Sequence, residues 1–276
     1  MSEPSTYGAF VYFASDPAVA QAGLARAAID ELLSGVSLPA SSVQMSVFKT
    51  PFKEGRWRSL QSKALDEALA DPEVETVNFI AGLPRDVYFV AKTQVRSDPD
   101  PRRRPASPLR FSFVCNATHV EPSASVRAGR SLLTRACASG AALFGGVFRA
   151  PSFNQAVCEV DDSGNCQQEP AAYRERNKVD CIAASDRWTK ARRLYPITLL
   201  GPKLASAVSA ADALAAGALA VQELGGSLLI DAYPTVVETW DPEYLRATVA
   251  LRRWLWPHSI QNPADAVGLG LKLPRR

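Results

Sequence analysis

The stretch Cys158-Glu-Val-Asp-Asp-Ser-Gly-Asn-Cys166 gathers side chains that could do chemistry: two cysteines bracket three acids and a Ser-Gly-Asn turn. Three arrangements fit such a set: a metal loop, a disulfide clasp or a polar hairpin tip. Zinc takes four nitrogen or sulfur ligands in tetrahedral geometry, usually presented as close cysteine pairs. The five cysteines stand 22, 21, 8 and 15 positions apart, so none forms such a pair. A calcium loop needs alternating acids and a closing bidentate glutamate, and Asp161-Asp162 with Gly164 lack both. A Cys158–Cys166 bridge is geometrically conceivable if the flanking segments pair as strands. It would not persist in a reducing compartment unless shielded. The expected reading is a polar hairpin tip whose acids, Glu159, Asp161 and Asp162, can meet a basic partner; the bridge stays open as an alternative.

Other chemistries find less support. The chain has no GxxxxGK[ST] loop and no G-x-S-x-G elbow. Gly145-Gly146 and Gly225-Gly226 are bare pairs that read as turn or cap glycines. The two histidines, His119 and His258, each follow the end of an element, where a cap or solvated role is the ordinary one. Cys115 ends an apolar strand-like run and Cys137 lies in a small-residue helix, so both read as buried thiols. Cys181 has charged neighbours but no histidine close in sequence. The carboxylates show no spacing that marks an acid–base pair. No catalytic residue, metal or cofactor is expected.

With 31 Lys and Arg against 28 Asp and Glu, the net charge is +3. That balance argues against a nucleic-acid-binding role, for which a basic stripe is expected. The one dense basic run, Arg102-Arg103-Arg104 between prolines, reads as a solvated loop. No run approaches the roughly 18 apolar residues of a membrane span. The opening MSEPSTYGAF lacks the basic and apolar regions of a secretory leader, and the cysteines are odd in number and spread. The expectation is a cytoplasmic protein.

The elements that must position these residues mix strand and helix without a clean alternation of the two. Tyr7–Ala14 is a strand of aromatic and β-branched residues. Ser15-Asp16-Pro17 opens a helix. Val43–Phe48 reads as a strand, and Ser59 as the start of a second helix that closes at Asp71-Pro72. Strands are expected over Thr76–Ala81, Val87–Val95 and Leu109–Asn116. A helix near Ser125–Ser139 and short strands at Gly145–Phe148 and Gln155–Val160 follow. Ile197–Leu200 suits either a strand or a buried turn. Ser209-Ala-Ala-Asp212 resembles a capping box opening an alanine-rich helix that runs to Gly225-Gly226. Ser227–Tyr233 is a strand, and Asp241-Pro242-Glu243 starts a long last helix. The fold class expected is α+β, with helices on a mainly antiparallel sheet. The chain divides into halves, 1–121 and 122–276, of similar structure, which one compact domain could contain.

In the last third, ITLLGPKLASAV, ELGGSLLIDAYP and WDPEYLRATVALRRWLWP resemble the immunity proteins of type VI secretion systems. The matching positions are Leu200-Gly201, Gly225-Gly226 through Pro234, Tyr244 and Leu251-Arg252. The resemblance implies a non-enzymatic protein that binds a cognate toxin stoichiometrically and blocks it; the charge balance and the lack of an apolar span add the expectation of no nucleic acid or membrane partner. It leaves oligomeric state open. Tight binding of that kind rests on a few aromatic or arginine anchors within a charged rim. Trp57 between Arg56 and Arg58 is the aromatic candidate, although a partly buried tryptophan anchoring a helix start explains it equally well. Glu159, Asp161 and Asp162 are the acidic candidates. A scaffold or regulatory module, or an enzyme with an unconventional site, are the other readings.

Overall fold

A computed structural model describes residues 6–13, 24, 27, 30–31, 43–49, 53–54, 58–59, 67–68, 74–81, 87–92, 109–117, 120–150, 190–191, 193–259, 266 and 268–271. The sequence YGAFVYF shows no polar alternation, and such a run suits a strand covered on both faces. It forms β1 (Thr6–Phe13), which lies mid-sheet and is antiparallel to β7 (Leu109–Asn116) on one side and to β8 (Ala142–Ala150) on the other. Beyond β7 come β6 (Val87–Lys92), β5 (Val74–Ala81) and β2 (Val43–Lys49), with the short β3 (Lys53–Glu54) and β4 (Arg58–Ser59) both on β2. Beyond β8 come β9 (Ile197–Leu200), β11 (Ser227–Asp231) and β10 (Ala220–Leu224). Every ladder between these strands is antiparallel, so the architecture is α+β, as expected. The sheet runs unbroken across residue 121, because β1 joins both sides.

The period of two along β1 divides the core. Ala9, Val11 and Phe13 face a layer with Phe113 and Cys115 of β7, Val147 of β8 and Leu199 of β9. Helix α1 (Pro122–Ser139) covers this layer with Ala128, Leu132, Leu133, Ala136 and Cys137. Apolar residues three and four apart on α1 make that stripe, Pro122 starts it at the position where a missing N–H costs nothing, and Gly140 closes it with φ 66°. Phe10 and Tyr12 point the other way, into a layer with Phe144, Phe148, Tyr195, Leu228 and Ile230. Short helices finish this face: α2 (Pro202–Ala205), α3 (Ala210–Ala215), α4 (Pro242–Ala247) and α5 (Val249–Leu255). The Phe10 ring sits 5.2 Å from Tyr195 and 5.8 Å from Phe144, centroid to centroid. Complete burial of one such ring stabilises by about 1.5–3 kcal/mol.

Several local expectations change. The strand expected at Gly145–Phe148 is present as part of the longer β8, so Gly145-Gly146 lies mid-strand and is not a turn or cap. A Cβ on Gly146 would stand 2.6 Å from the Tyr195 ring, so the glycine makes room for an aromatic side chain. Gly225 (φ 57°) and Gly226 (φ 76°) do form a turn, the two-residue connection of the β10–β11 hairpin. The alanine-rich helix therefore does not reach them. It stops at Ala215, Gly217 takes φ 100°, and Ala220–Leu224 becomes a strand instead. Ser59 does not start a helix but pairs with Gln44 in β4, while Glu67 and Ala68 further on are helical. The ambiguous Ile197–Leu200 is strand β9, buried along its whole length. The last long helix is two. Thr248 separates them, its hydroxyl donating to the Tyr244 carbonyl at 2.7 Å.

Candidate interaction surface

The acids Glu159, Asp161 and Asp162, the bracketing Cys158 and Cys166, Cys181, His119, Arg56 and Trp57 lie outside the described residues. Arg58 is placed by its backbone alone: it sits in β4 opposite Met45. The ladders of β3 and β4 on β2 differ in register by one residue, Phe48 facing Glu54 but Met45 facing Arg58. The structure therefore puts Arg58 at the β2 margin of the sheet.

The described cysteines behave as core residues. Burial pushes the Cys115 thiol up from 9.0 to about 12. Burial does the same for Cys137. Both thiols are buried and protonated at neutral pH, as small core residues are. Among the described residues there is no group of three or more His, Cys, Asp or Glu side chains able to hold a metal ion. His258 lies in a short 3-10 turn, Trp256–His258, where its carbonyl accepts from the Ala191 N–H at 2.8 Å. Among the described residues no helix is long and apolar enough to cross a membrane.

What the described surface does offer is charge segregation. From Leu204 through Tyr244 and on to Leu245 the sequence holds Asp212, Glu223, Asp231, Glu238, Asp241 and Glu243 but no Lys, Arg or His. The remaining 31 basic and 22 acidic residues leave +9 elsewhere. This acidic segment builds β10, β11, α3 and the start of α4 at one side of the sheet. Asp231 is neutralised by Arg130 of α1. Asp241 caps α4, its Oδ1 accepting from the Glu243 N–H at 2.8 Å and the Tyr244 N–H at 3.1 Å. Asp212 and Glu223 are exposed. Beside them, among the described residues, Leu214 and Leu219 are the exposed large hydrophobic side chains, at 49% and 58%. The reading from sequence missed this margin because it placed residues 210–224 on one helix. The lack of any basic residue over some forty positions was the available signal.

An ordered corner holds the acidic segment to the rest. The Arg193 guanidinium lies 4.6 Å from the Trp240 ring centre and donates to the Thr239 hydroxyl at 3.2 Å. Tyr244, fully buried, donates its phenol to the Leu194 carbonyl at 3.0 Å and meets Tyr233 edge to face at 5.4 Å. Loss of solvent, then the Glu243 and Asp241 carboxylates, hold the Tyr233 phenol above its ordinary range. Trp254 packs half-buried against the second core layer.

These features define an α+β protein with a continuous antiparallel sheet, two core layers and an acidic margin. Neither a family model nor a curated protein matches the chain. Its fold is similar to that of a solved structure from Pseudomonas aeruginosa, described as T6SS protein PA0821. The likeness covers 93% of this chain and 73% of the other, with a TM-score of 0.55 and 13% sequence identity. At that identity the likeness is one of fold. The positions that carry the resemblance in sequence are fold-forming too. Leu200 ends β9 and Gly201 caps α2, Gly225-Gly226 turns the hairpin, and Tyr244 and Leu251 are core.

Proposed function

We propose that this chain is an immunity protein of a type VI secretion system, which binds a cognate toxin one-to-one in the cytoplasm and blocks it. The observation that carries the reading is the fold likeness over 93% of the chain to a protein described as belonging to such a system. The resemblance of the last third in sequence points the same way. The fold agrees with a binding role: a stiff sheet with two packed layers presents margins and loops that need little rearrangement on association. In this reading Arg56, Trp57 and Arg58 form an aromatic and basic contact, and Glu159, Asp161 and Asp162 an acidic one. Neutralisation by binding requires the complex to outlast the toxin's encounter with its target, so a Kd of nanomolar order or tighter is expected.

The test is to express the product of the adjacent gene alone and together with this protein. The expected result is toxicity alone, rescue on co-expression and a stable one-to-one complex on size exclusion. Failure of both rescue and complex formation would refute the proposal.

A further inference from the structure

We infer that β10 is a docking edge at which an extended segment of a protein partner, bearing lysine or arginine, adds to the sheet as a further antiparallel strand. The inference deepens the binding role proposed above and rests on it. Among the described residues, β10 pairs with β11 and has no strand on its outer side. Leu224 and Ser227 are the closing pair across the two-residue Gly225-Gly226 turn. In such a hairpin the closing pair exchanges both of its hydrogen bonds across the ladder. Alternation then turns the N–H and C=O groups of Glu223 and Val221 outward, where a partner strand can meet them.

The side chains beside this edge state what the partner must carry. Leu219 leads into β10 with 58% of its surface exposed, and Leu214 of α3 is 49% exposed. Asp212 and Glu223 are exposed alongside, and neither α3 nor β10 contains a basic residue. Natural sheets commonly protect an open edge with lysine, proline or a bulge. This one carries apolar and acidic groups, and its ladder with β11 runs from Ala220 to Leu224 in unbroken register. A second copy of the chain is a poor occupant. Antiparallel pairing about a two-fold axis would bring Asp212 and Glu223 of each copy towards the same acids of the other. An apolar strand with basic residues satisfies both the leucines and the acids.

The experiment measures binding of the adjacent gene's product to wild-type protein and to Glu223→Gln, Glu223→Pro and Leu219→Lys by calorimetry. Each variant is first checked for folding by circular dichroism and thermal unfolding. Glu223→Gln keeps the outward N–H and removes the charge; it should weaken binding several-fold and lower its salt dependence. Glu223→Pro also removes the N–H, at an edge position where proline is tolerated, and should weaken binding on the order of 30-fold or more. Leu219→Lys, at an exposed site, should do the same. If the wild type binds and Glu223→Pro and Leu219→Lys bind equally well, the edge is refuted while the binding role stands. If the wild type binds nothing, the role and the edge fail together. A wild-type dimer that Glu223→Pro dissolves would identify a second copy as the occupant and overturn the inference.

Discussion

Gly146 offers a sharp test of the packing, because a turn glycine and a mid-strand glycine respond to alanine for different reasons. Its φ is not among the positive values, so alanine meets no backbone penalty there. The reduced freedom of the unfolded chain alone would make Gly146→Ala stabilising by about 0.4–1 kcal/mol. The structure predicts the opposite sign. The new Cβ would lie 2.6 Å from Tyr195 Cγ and Cδ2, where ordinary contact begins at 3.4 Å. One side must therefore give by nearly 1 Å, and both are held. Gly146 is paired with Phe10 in β1 and with Thr198 in β9. The Tyr195 N–H donates to the Thr198 hydroxyl at 2.8 Å, and that hydroxyl donates to the Tyr195 carbonyl at 2.9 Å. The ring is fully buried and closed in by Phe10 and Phe144, at 5.2 and 6.0 Å. Overpacking of this kind costs about 1–3 kcal/mol. The net expectation is a loss of about 0.5–2 kcal/mol. At about 2–4 °C per kcal/mol for a chain approaching this size, Tm should fall by a few degrees. Urea denaturation of Gly146→Ala, Tyr195→Leu and the double variant measures the loss and its origin. The two substitutions should couple by about 1 kcal/mol, the double variant being more stable than their separate costs imply. A Gly146→Ala protein as stable as the wild type, or strictly additive costs, would refute the reasoning.

Three further predictions rest on buried groups. Cys115 and Cys137 should resist a thiol reagent at pH 8 in the native protein and react fully once it is unfolded; rapid native labelling of either would contradict the assigned burial. Both thiols are held protonated in the folded chain up to about 12, whereas unfolded thiols ionise from about 9.0. The unfolded state therefore binds fewer protons across that window, and stability should fall as pH rises through it. Cys115→Ala combined with Cys137→Ala should flatten that fall. Tyr244→Phe removes the phenol that donates to the Leu194 carbonyl and leaves the ring in place, so equilibrium unfolding should show a loss of about 1–2 kcal/mol; no change would mean that another donor satisfies this carbonyl.

Elements with a strong local cause were legible in the sequence. The aromatic run of β1 admits no amphipathic helix, and it is a strand buried on both faces. The Asp241-Pro242-Glu243 start and the Ser209 cap are local hydrogen-bond chemistry, and both are present. Failures came where tertiary pairing overrode local preference. Residues 210–224 are rich in alanine and favour a helix by composition, yet the hairpin glycines and the open side of β11 draw Ala220–Leu224 into the sheet. Gly146 is explained only by Tyr195, 49 positions later, a neighbour that no local pattern announces. The strand order has the same character. The partners of β1 could not be read from β1 itself. The candidate contacts chosen from sequence were short charged runs, whereas the acidic margin is marked in sequence only by the lack of basic residues over some forty positions, and its place at one side of the sheet is seen once β10, α3 and β11 are assembled.

The position of β1 also governs how the molecule can be made. Thr6 and Ala150, 144 positions apart, are joined by a hydrogen bond between the Thr6 hydroxyl and the Ala150 carbonyl, and the same strand takes its other neighbour from Leu109–Asn116. No local hairpin can nucleate the middle of this sheet; it closes only after long loops have been drawn together, which places the chain among slow folders of high contact order. Until residues 109–150 arrive, β1 waits as an aromatic strand with both edges open, the state in which a chain is most exposed to aggregation. Expression yield should therefore depend on chaperones and temperature more steeply than the stability of the finished fold would suggest.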